Sequence, residues 1–271
     1  MSDRKFVIGG GIVGLIAGYI KKATVISKSF GMNQYAPVWL HYHEATKKFL
    51  SSLGIDPPVT TINIRVFDGN EIRDVTPSDK EEYSLKVWGA VENHVMAEGK
   101  KKIKVFDYPV SDLYKRLLSE VHCIRGEVIG IDPNLQIIWV DLGNKLKSFS
   151  YSELISTIPL NILCEILEIE EYPFEYKTIY GTITPVSRAR VQPQENEIIY
   201  DISDSIFYRH TCPKPGLVLS ESVVAGDFVI GWKIKNKIGL KELEGIKLVG
   251  RYARWIPKYY IHDALQDLGV K

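Results

Sequence analysis

The pattern of hydrophobic and polar positions divides the chain into an N-terminal β–turn–helix–β segment, a β-rich middle and a C-terminal strand followed by a helix. Short apolar segments at 5–8 and 23–26 predict two strands, with a glycine turn and a helix between them. The apolar or glycine run of residues 6–20 is shorter than the roughly 20 residues that a membrane-spanning helix needs. Lys21 and Lys22 follow it directly, where a signal peptide would have a small-residue cleavage site. We therefore expect this segment to begin a globular domain.

The rest of the pattern predicts four helices and a series of strands. The predicted helices span 43–53, 110–121 with Ser111 as N-cap, 159–167 and 260–268. The predicted strands span 62–67 and 71–75 as a hairpin, 122–131, 136–142, 145–149, 151–158, 178–186, 198–200, 205–211, 217–225 and 246–249.

The first and last segments are typical of a nucleotide-binding fold, whereas the middle is rich in strands. This order predicts an α/β protein in which both ends of the chain form one Rossmann-type domain and a β-rich (α+β) substrate domain is inserted into it. The predicted nucleotide-binding domain comprises 1–42, 100–168 and 240–271, and the predicted substrate domain comprises 43–99 and 169–239. A cleft between two such domains is the usual place for a cofactor and a substrate to meet.

Glycines at three positions give the N-terminal turn the spacing G-x-G-x-x-G. Gly9 permits the tight turn, Gly11 lets a pyrophosphate approach the backbone, and Gly14 allows the helix to pack close to the strand. The flanking strands supply the structural context in which this motif indicates dinucleotide binding. A glycine-rich buried strand without a ligand is the alternative.

Composition and charge narrow the functional classes. The chain has 271 residues, with 34 Lys and Arg against 33 Asp and Glu, and a net charge of +1 gives no overall field for nucleic acid. The three cysteines are scattered, which indicates neither a disulfide framework nor a zinc site. With reduced cysteines and no targeting segment, we expect a cytoplasmic protein that binds a small molecule rather than nucleic acid or a membrane. The sequence leaves a homodimer open.

Three stretches together resemble FAD-dependent oxidoreductases of the glutathione-reductase type, in the branch of UDP-galactopyranose mutase, amine oxidase and protoporphyrinogen oxidase. They are the glycine turn at 9–14, the segment LISTIPL at 154–160, and GRYARW at 250–255 followed by YYIHD at 259–263. Two further stretches are similar to parts of the mutases: APVWLHY at 36–42 resembles a loop at the flavin, and IFYRH at 206–210 resembles the stretch whose arginine meets the substrate diphosphate.

The resemblance implies FAD as cofactor and assigns residues to it. The implied cofactor-binding residues are Gly9, Gly11, Gly14, Ser27, Lys28, Gly250, Arg251, Tyr260 and Ile261. The sequence departs from the pattern after the second strand, where Ser27 and Lys28 stand in place of the acid that usually binds the adenosine ribose. A serine can still form one hydrogen bond to a ribose, whereas a lysine there could instead indicate a 2′-phosphate and thus NADP. Val38 replaces the first histidine of the mutase loop.

The candidate substrate-binding residues are Arg209, Tyr208, Trp39 and Tyr180. Arg209 lies in an apolar, aromatic strand and therefore needs an anion, either a substrate or an internal partner such as Glu221. His41 and Arg209 are the candidate catalytic residues. His41 and His43 form H-x-H, but no third ligand follows at a recognisable spacing, so no metal site is predicted.

These inferences predict a flavoenzyme of the oxidoreductase type that acts on a small, anionic substrate in an interdomain cleft. A nucleotide-sugar isomerase like UDP-galactopyranose mutase, using reduced flavin, is the first alternative. A non-catalytic dinucleotide-binding protein is the second, because the ribose-binding acid and the loop histidine are replaced.

Overall fold

The computed structural model describes residues 4–31, 39–91 and 101–271. The expectation about Val38, and the parts of the predicted segments at 1–3, 32–38 and 92–100, lie outside the described residues.

The described part of the chain contains six α-helices and eighteen β-strands. The strands are β1 (Lys5–Ile8), β2 (Thr24–Ser27), β3 (Leu40–His41), β4 (Val59–Phe67), β5 (Ile72–Asp74), β6 (Lys102–Phe106), β7 (Cys123–Arg125), β8 (Glu127–Asp132), β9 (Ile137–Asp141), β10 (Leu146–Ser150), β11 (Glu153–Ser156), β12 (Tyr176–Pro185), β13 (Glu197–Asp201), β14 (Phe207–Lys214), β15 (Leu217–Ser222), β16 (Phe228–Ile234), β17 (Glu242–Leu243) and β18 (Ile246–Leu248). The helices are α1 (Ile12–Lys21), α2 (Glu44–Ser52), α3 (Asp79–Trp88), α4 (Val110–Glu120), α5 (Leu160–Ile166) and α6 (Ile261–Asp267).

A six-stranded sheet, which we call the nucleotide sheet, brings together segments from the whole length of the chain. Its strand order is β17-β18-β11-β1-β2-β7, and every neighbouring pair is parallel except β17 with β18. Val7 at the centre lies opposite Val25 on one side and Ile155 on the other. The central residues of β1, β2 and β11 are apolar and buried because helices or a second sheet cover both faces.

On one face of the nucleotide sheet, α1, α2, α4 and α6 form a core with β1 and β2. Leu15, Ile16 and Leu117 are fully buried there. Gly18 lets α1 lie close to the sheet, since a Cβ at this position would be 2.5 Å from Val25 Cγ2 and 2.8 Å from Val121 Cγ1. On the opposite face, α5 and a three-stranded antiparallel sheet of β8, β9 and β10 pack around a second core that contains Trp255.

The second unit is a nine-stranded sheet, which we call the large sheet. Its order is β16-β12-β15-β14-β13-β4-β6-β3, with β5 paired to β4. Helix α3 covers one face, where Tyr83 and Val87 pack with Tyr200 and Tyr208. Tyr83 and Val87 are four residues apart and thus share one side of the helix.

Three segments lie in a different unit from the one that the predicted domain boundaries give them. Strands β3 and β6, within the segments assigned to the nucleotide-binding domain, pair with each other and belong to the large sheet. Helix α2, within the segment assigned to the substrate domain, packs its apolar face into the core around α1. The hydrophobic pattern of a short strand or helix shows which face is buried but not which sheet covers it.

Three local predictions need correction. The predicted strand at 122–131 is divided into β7 and β8 at Gly126, whose amide donates to the carbonyl of Ser27. Ser111 lies inside α4, and Pro109 is its N-cap. The hydrophobic pattern does not predict helix α3, because half of its sequence DKEEYSLKVW is charged and it buries only one narrow side.

We expect Gly18→Ala to lower the free energy of unfolding by about 1–3 kcal/mol, because the added methyl group overpacks the contact between α1 and the nucleotide sheet. Urea denaturation followed by circular dichroism measures the change. Gly31→Ala is the matched control: a Cβ there meets no atom within 4 Å, so its effect should stay within about 0.5 kcal/mol. Equal stability of the two variants would contradict the close packing of α1.

Candidate functional site

The carboxyl ends of four parallel strands meet along one edge of the nucleotide sheet. Gly9 follows β1, Ser27 ends β2, Thr157 follows β11 and Gly250 follows β18 after one residue. In open α/β sheets, ligands bind outside the carboxyl ends of the strands, where the strand order reverses direction. Here the order reverses at β1, since the chain continues to β2 on one side and later adds β11 on the other. This edge is therefore the candidate ligand site.

The glycine turn has the backbone geometry that a phosphate cradle requires. Gly9 has a left-handed φ of 115°, and a Cβ there would collide with Thr157 Oγ1. A Cβ at Gly14 would collide with the carbonyl oxygen of Gly9, so the helix packs against the turn itself. At Gly11, by contrast, the Cβ position has no atom of the described residues within 4 Å, so none of them fills the outer side of the turn. Gly11 is the N-cap of α1 and no side chain caps that helix, so its N-terminal amides are turned toward the open space.

Two residues that sequence reasoning missed hold this turn in place. The hydroxyl of Thr157 donates to the carbonyl of Ile8 at 3.0 Å, and its backbone amide donates to the same oxygen at 2.9 Å. From α4, the Tyr114 hydroxyl donates to the carbonyl of Gly10 at 2.8 Å. Thr157 lies within the LISTIPL segment that carried the family resemblance, whereas Tyr114 lies on the buried side of a helix and no sequence signal separates it from a core residue.

Ser27 and Lys28 stand where the ribose-binding acid was expected, and each has its own partner in the structure. The Ser27 hydroxyl donates to the carbonyl of Ser29 at 2.8 Å. Lys28 Nζ lies 2.8 Å from Glu127 Oε2, in a pair whose lysine side chain is 75% exposed. Glu127 thus brings a carboxylate to the end of β2 from the neighbouring β8, and it neutralises the lysine that suggested a 2′-phosphate.

The C-terminal segment reaches the glycine turn. Gly250 has a left-handed φ of 108°, and a Cβ there would lie 3.3 Å from Val13 Cγ1 in the first turn of α1. The next residue, Arg251, has a buried Nε without a hydrogen-bond partner, and its guanidinium lies 5.6 Å from the ring of Tyr252. A buried donor without a partner is costly in a folded protein. Arg251 therefore fits a role in binding an anionic group.

Helix α6 begins at Ile261, with Tyr260 as its N-cap, as expected. The Tyr260 amide is not open to a ligand, because it donates to Asp263 Oδ2 at 2.7 Å in a capping box.

The ring of His41 lies 4.4 Å from that of Tyr260, and His43 stacks on His262 at 4.5 Å. Burial lowers the pKa of His262, and the charge of His43 lowers it further against the opposing effect of Asp263.

His43 serves as the N-cap of α2, because its Nδ1 accepts from the Ala45 amide at 3.1 Å. Within residues 4–31, 39–91 and 101–271, no group of three potential metal ligands is assembled. In the same ranges, no helix combines the length and apolar character needed to cross a membrane.

Arg209 has an internal anion. Its Nε lies 2.8 Å from Glu221 Oε1 and its Nη2 lies 2.7 Å from Glu221 Oε2, while the Tyr208 hydroxyl donates to the same carboxylate at 2.8 Å. The Glu221 side chain is fully buried. Of the two anions expected for Arg209, a substrate or Glu221, the structure supplies the internal one, and Glu221 balances its charge.

Lys233 lies beside this pair on β16. Its Nζ donates to the Tyr83 hydroxyl at 2.9 Å and lies 4.4 Å from the centre of the Tyr208 ring. Within the described part of the chain, no carboxylate lies at ion-pair distance from it. Burial and the nearby charges of Arg209 and Arg251 hold the pKa of Lys233 well below its usual value, against the opposing effect of Glu221.

Backbone and side-chain contacts connect Lys233 to the candidate ligand site. The Tyr252 hydroxyl accepts from the Trp232 amide at 3.1 Å, which joins the segment after Gly250 to β16. The large sheet thus contributes two cations, Arg209 and Lys233, and one carboxylate, Glu221, next to a third cation, Arg251. When Lys233 is protonated, this junction carries an excess of positive charge, which favours an anion there.

The other two predicted substrate residues also belong to the large sheet unit. Among the residues that the structure describes, no side-chain hydrogen bond joins them to this charged group. Trp39 is partly buried and packs against the core beneath α3. Tyr180 lies on β12 opposite Ser222 and Val229.

Comparison with known proteins shows which solved structures share the fold of this chain. No family model matches the chain, and no curated protein matches its sequence. Reduced UDP-galactopyranose mutase is similar in structure, with a TM-score of 0.63 and 12% identity over 99% of this chain and 93% of that one. A flavin-dependent brominase matches with a TM-score of 0.56 and 12% identity over 97% of this chain and 76% of that one. Aklavinone-11 hydroxylase, in a complex with FAD and aklavinone, matches with a TM-score of 0.58 and 11% identity over 98% of this chain and 60% of that one.

These similarities confirm the predicted fold class. The chain has the fold of these flavin-dependent proteins, with a Rossmann-type unit and a β-rich second unit. At these identities the comparison shows the fold, and the chemistry has to be argued from the residues of this chain.

We expect Glu221→Ala to lower the free energy of unfolding by about 3–5 kcal/mol, because it leaves the Arg209 guanidinium buried without its anion. The double variant Arg209→Met/Glu221→Met removes both charges and should recover at least half of that loss. Thermal and urea denaturation of the three proteins measure the difference. Equal destabilisation of the single and double variants would show that the ion pair is not the cause.

Proposed function

We propose that the protein is an FAD-dependent enzyme of the oxidoreductase type that acts on a small anionic substrate between the nucleotide sheet and the large sheet. The observation that carries this proposal is the open space at Gly11, beside a left-handed Gly250 from the other end of the chain. The turn would hold the pyrophosphate of the cofactor through backbone amides, and the N-terminus of α1 would face its negative charge.

The residues around the turn fit the remaining parts of FAD. Ser27 and Glu127 offer oxygen atoms near the end of β2 for the adenosine ribose, and Gly250 allows the backbone to approach the cofactor closely. Arg251 has a buried Nε that would find an acceptor on the bound group. When bound, the flavin ring supplies the electron-transfer chemistry, and the protein positions it and tunes its charge.

The excess of cations next to Arg251 supports an anionic substrate. Because Glu221 neutralises Arg209, we assign the substrate's anionic group to Lys233 in place of Arg209. An ammonium at Lys233 would meet the anion while the rings of Tyr83 and Tyr208 keep water away from it. His41 remains a candidate for the polar lining of the cleft, since its ring contacts Tyr260 at the start of α6.

An isomerase that resembles UDP-galactopyranose mutase is the second candidate. The structural similarity to that enzyme over nearly the full length of both chains favours it. An isomerase would leave the flavin reduced after turnover, whereas an oxidoreductase would consume one equivalent of electron acceptor for each substrate. A bound flavin that neither dithionite nor a substrate reduces would instead indicate a non-catalytic dinucleotide-binding protein.

We expect Gly11→Val to reduce FAD affinity by at least about tenfold, because the branched side chain would fill the space that the pyrophosphate needs. Flavin absorbance of the protein after incubation with FAD and gel filtration measures retention. Gly130→Ala in the three-stranded sheet is the control and should keep its full FAD content. If Gly11→Val stays as yellow as the parent protein, the glycine turn does not bind the cofactor.

We expect Lys233→Met to weaken binding of a small anion to the FAD-loaded protein by about tenfold or more, a loss of roughly 1.4 kcal/mol. Titration with benzoate or inorganic phosphate, followed by the shift of the flavin spectrum, measures the affinity. Because the ammonium form binds the anion, affinity of the parent protein should fall as the pH rises through the lowered pKa of Lys233.

Lys235→Met is the matched control for that experiment. Lys235 lies two residues further along the chain, in a more exposed ion pair with Glu175 at 3.3 Å, so its loss should leave anion affinity unchanged. Unchanged affinity in Lys233→Met, together with lost affinity in Arg209→Met, would return the anion to Arg209.

A further inference from the structure

A buried serine–histidine–aspartate arrangement lies on the face of the large sheet that does not contain Arg209 and Glu221. His210 lies opposite Ser220 in the register of β14 and β15, one residue along from the pair of Arg209 with Glu221, so their side chains point to the other face. Asp201 ends the adjacent strand β13. His210 Nε2 lies 3.1 Å from Asp201 Oδ2, and His210 Nδ1 lies 2.8 Å from Ser220 Oγ.

Asp201 determines which nitrogen of the His210 ring carries the proton. Its carboxylate accepts from the hydroxyls of Ser203 at 2.6 Å and Ser205 at 2.8 Å, and from Lys86 Nζ at 3.0 Å. Burial favours the neutral acid, but these hydrogen bonds and the one from His210 outweigh it and hold the pKa of Asp201 well below its usual value. An ionised carboxylate only accepts, so Nε2 carries the proton. In the neutral ring, Nδ1 then accepts from the Ser220 hydroxyl.

The arrangement lines a cavity of about 270 Å³ that is not part of the candidate flavin site. Ser220 and His210 are in its wall together with Phe207 and Val191. The exposed residues Arg188 and Arg190 also line it, and Arg190 Nη2 donates to the carbonyl of Gly69 at 3.1 Å. A nucleophile in hydrogen-bond contact with a base that a third group orients is the recurring geometry of serine acyl transfer, on many unrelated folds. The apolar walls fit a short acyl chain, and the two arginines fit an anionic group at its end.

We propose that this cavity is a second active site, in which Ser220 is the nucleophile toward a small ester whose acyl part carries a carboxylate. Ser220 Oγ bonds to the carbonyl carbon while its proton moves to His210 Nδ1. The bond from that carbon to the alcohol oxygen then breaks, and the alcohol leaves with the proton from His210. Water then attacks the acyl carbon while one of its protons moves to His210 Nδ1. The bond from that carbon to Ser220 Oγ breaks, the carboxylic acid leaves, and His210 returns the proton to Oγ, with no change in oxidation state.

A fluorophosphonate probe tests the nucleophile on the full-length, folded protein. Peptide mapping by mass spectrometry should find the phosphonate on Ser220, with fluoride released, and the identification needs no variant. His210→Gln should label at least about a hundredfold more slowly, provided that circular dichroism shows it to be folded. Ser187→Ala, on the exposed segment beside Arg188, should label at the parental rate.

Two esters of equal chain length test the charge of the substrate. Mono-p-nitrophenyl succinate should be hydrolysed at least about tenfold faster than p-nitrophenyl butyrate, and Arg188→Met should reduce that preference. The proposal is overturned if the probe leaves Ser220 unlabelled, if it labels only surface serines such as Ser187, or if labelling of Ser220 is as fast in His210→Gln. Hydrolysis of both esters at equal rates would overturn the assignment of an anionic substrate.

Discussion

The close approach of β1, α1 and the segment after β11 is the constraint on which the nucleotide-binding half of the molecule depends. At Gly9 and Gly14 a side chain of any size would collide with backbone or with Thr157, so these two positions of the turn require glycine. Thr157 and Tyr114 then fix the turn from two other elements. Because the same turn contacts Gly250 through Val13, its geometry also sets where the C-terminal segment meets the large sheet.

Each face of the large sheet has a buried carboxylate that accepts hydrogen bonds from several donors. On the face toward α3, Glu221 balances Arg209 and accepts from the Tyr208 hydroxyl, while Lys233 contacts the Tyr83 hydroxyl and the rings of Tyr83 and Tyr208. On the other face, Asp201 gathers hydroxyl, ammonium and imidazole donors around one carboxylate. Adjacent residues of β14 and β15 thus support two polar groups that do not touch, since successive side chains of a strand point to opposite faces.

Much of the nucleotide-binding half could be predicted from the sequence because its signals are local. Glycine spacing, two apolar strands and a strand that leads into Gly250 each require only a few adjacent residues. The partner of Arg209 could be suggested but not decided, because Glu221 reaches it only once β14 and β15 pair. Thr157, Tyr114 and Lys233 act through contacts with residues far along the chain, and the charge of Lys28 is balanced by Glu127 from another strand. Such contacts leave no local pattern.

The strand order of the nucleotide sheet has a consequence for how the protein folds. Its central strand is the first in the chain, but its neighbours on one side come from residues 153–156 and 246–248. A local connection brings β2 to one side of β1, but a long loop must close before β11 pairs on the other side, which raises the contact order and slows folding. During synthesis one edge of β1 would therefore stay uncovered until residues 153–156 have been made, and a partly folded chain that exposes an apolar strand edge is prone to aggregate.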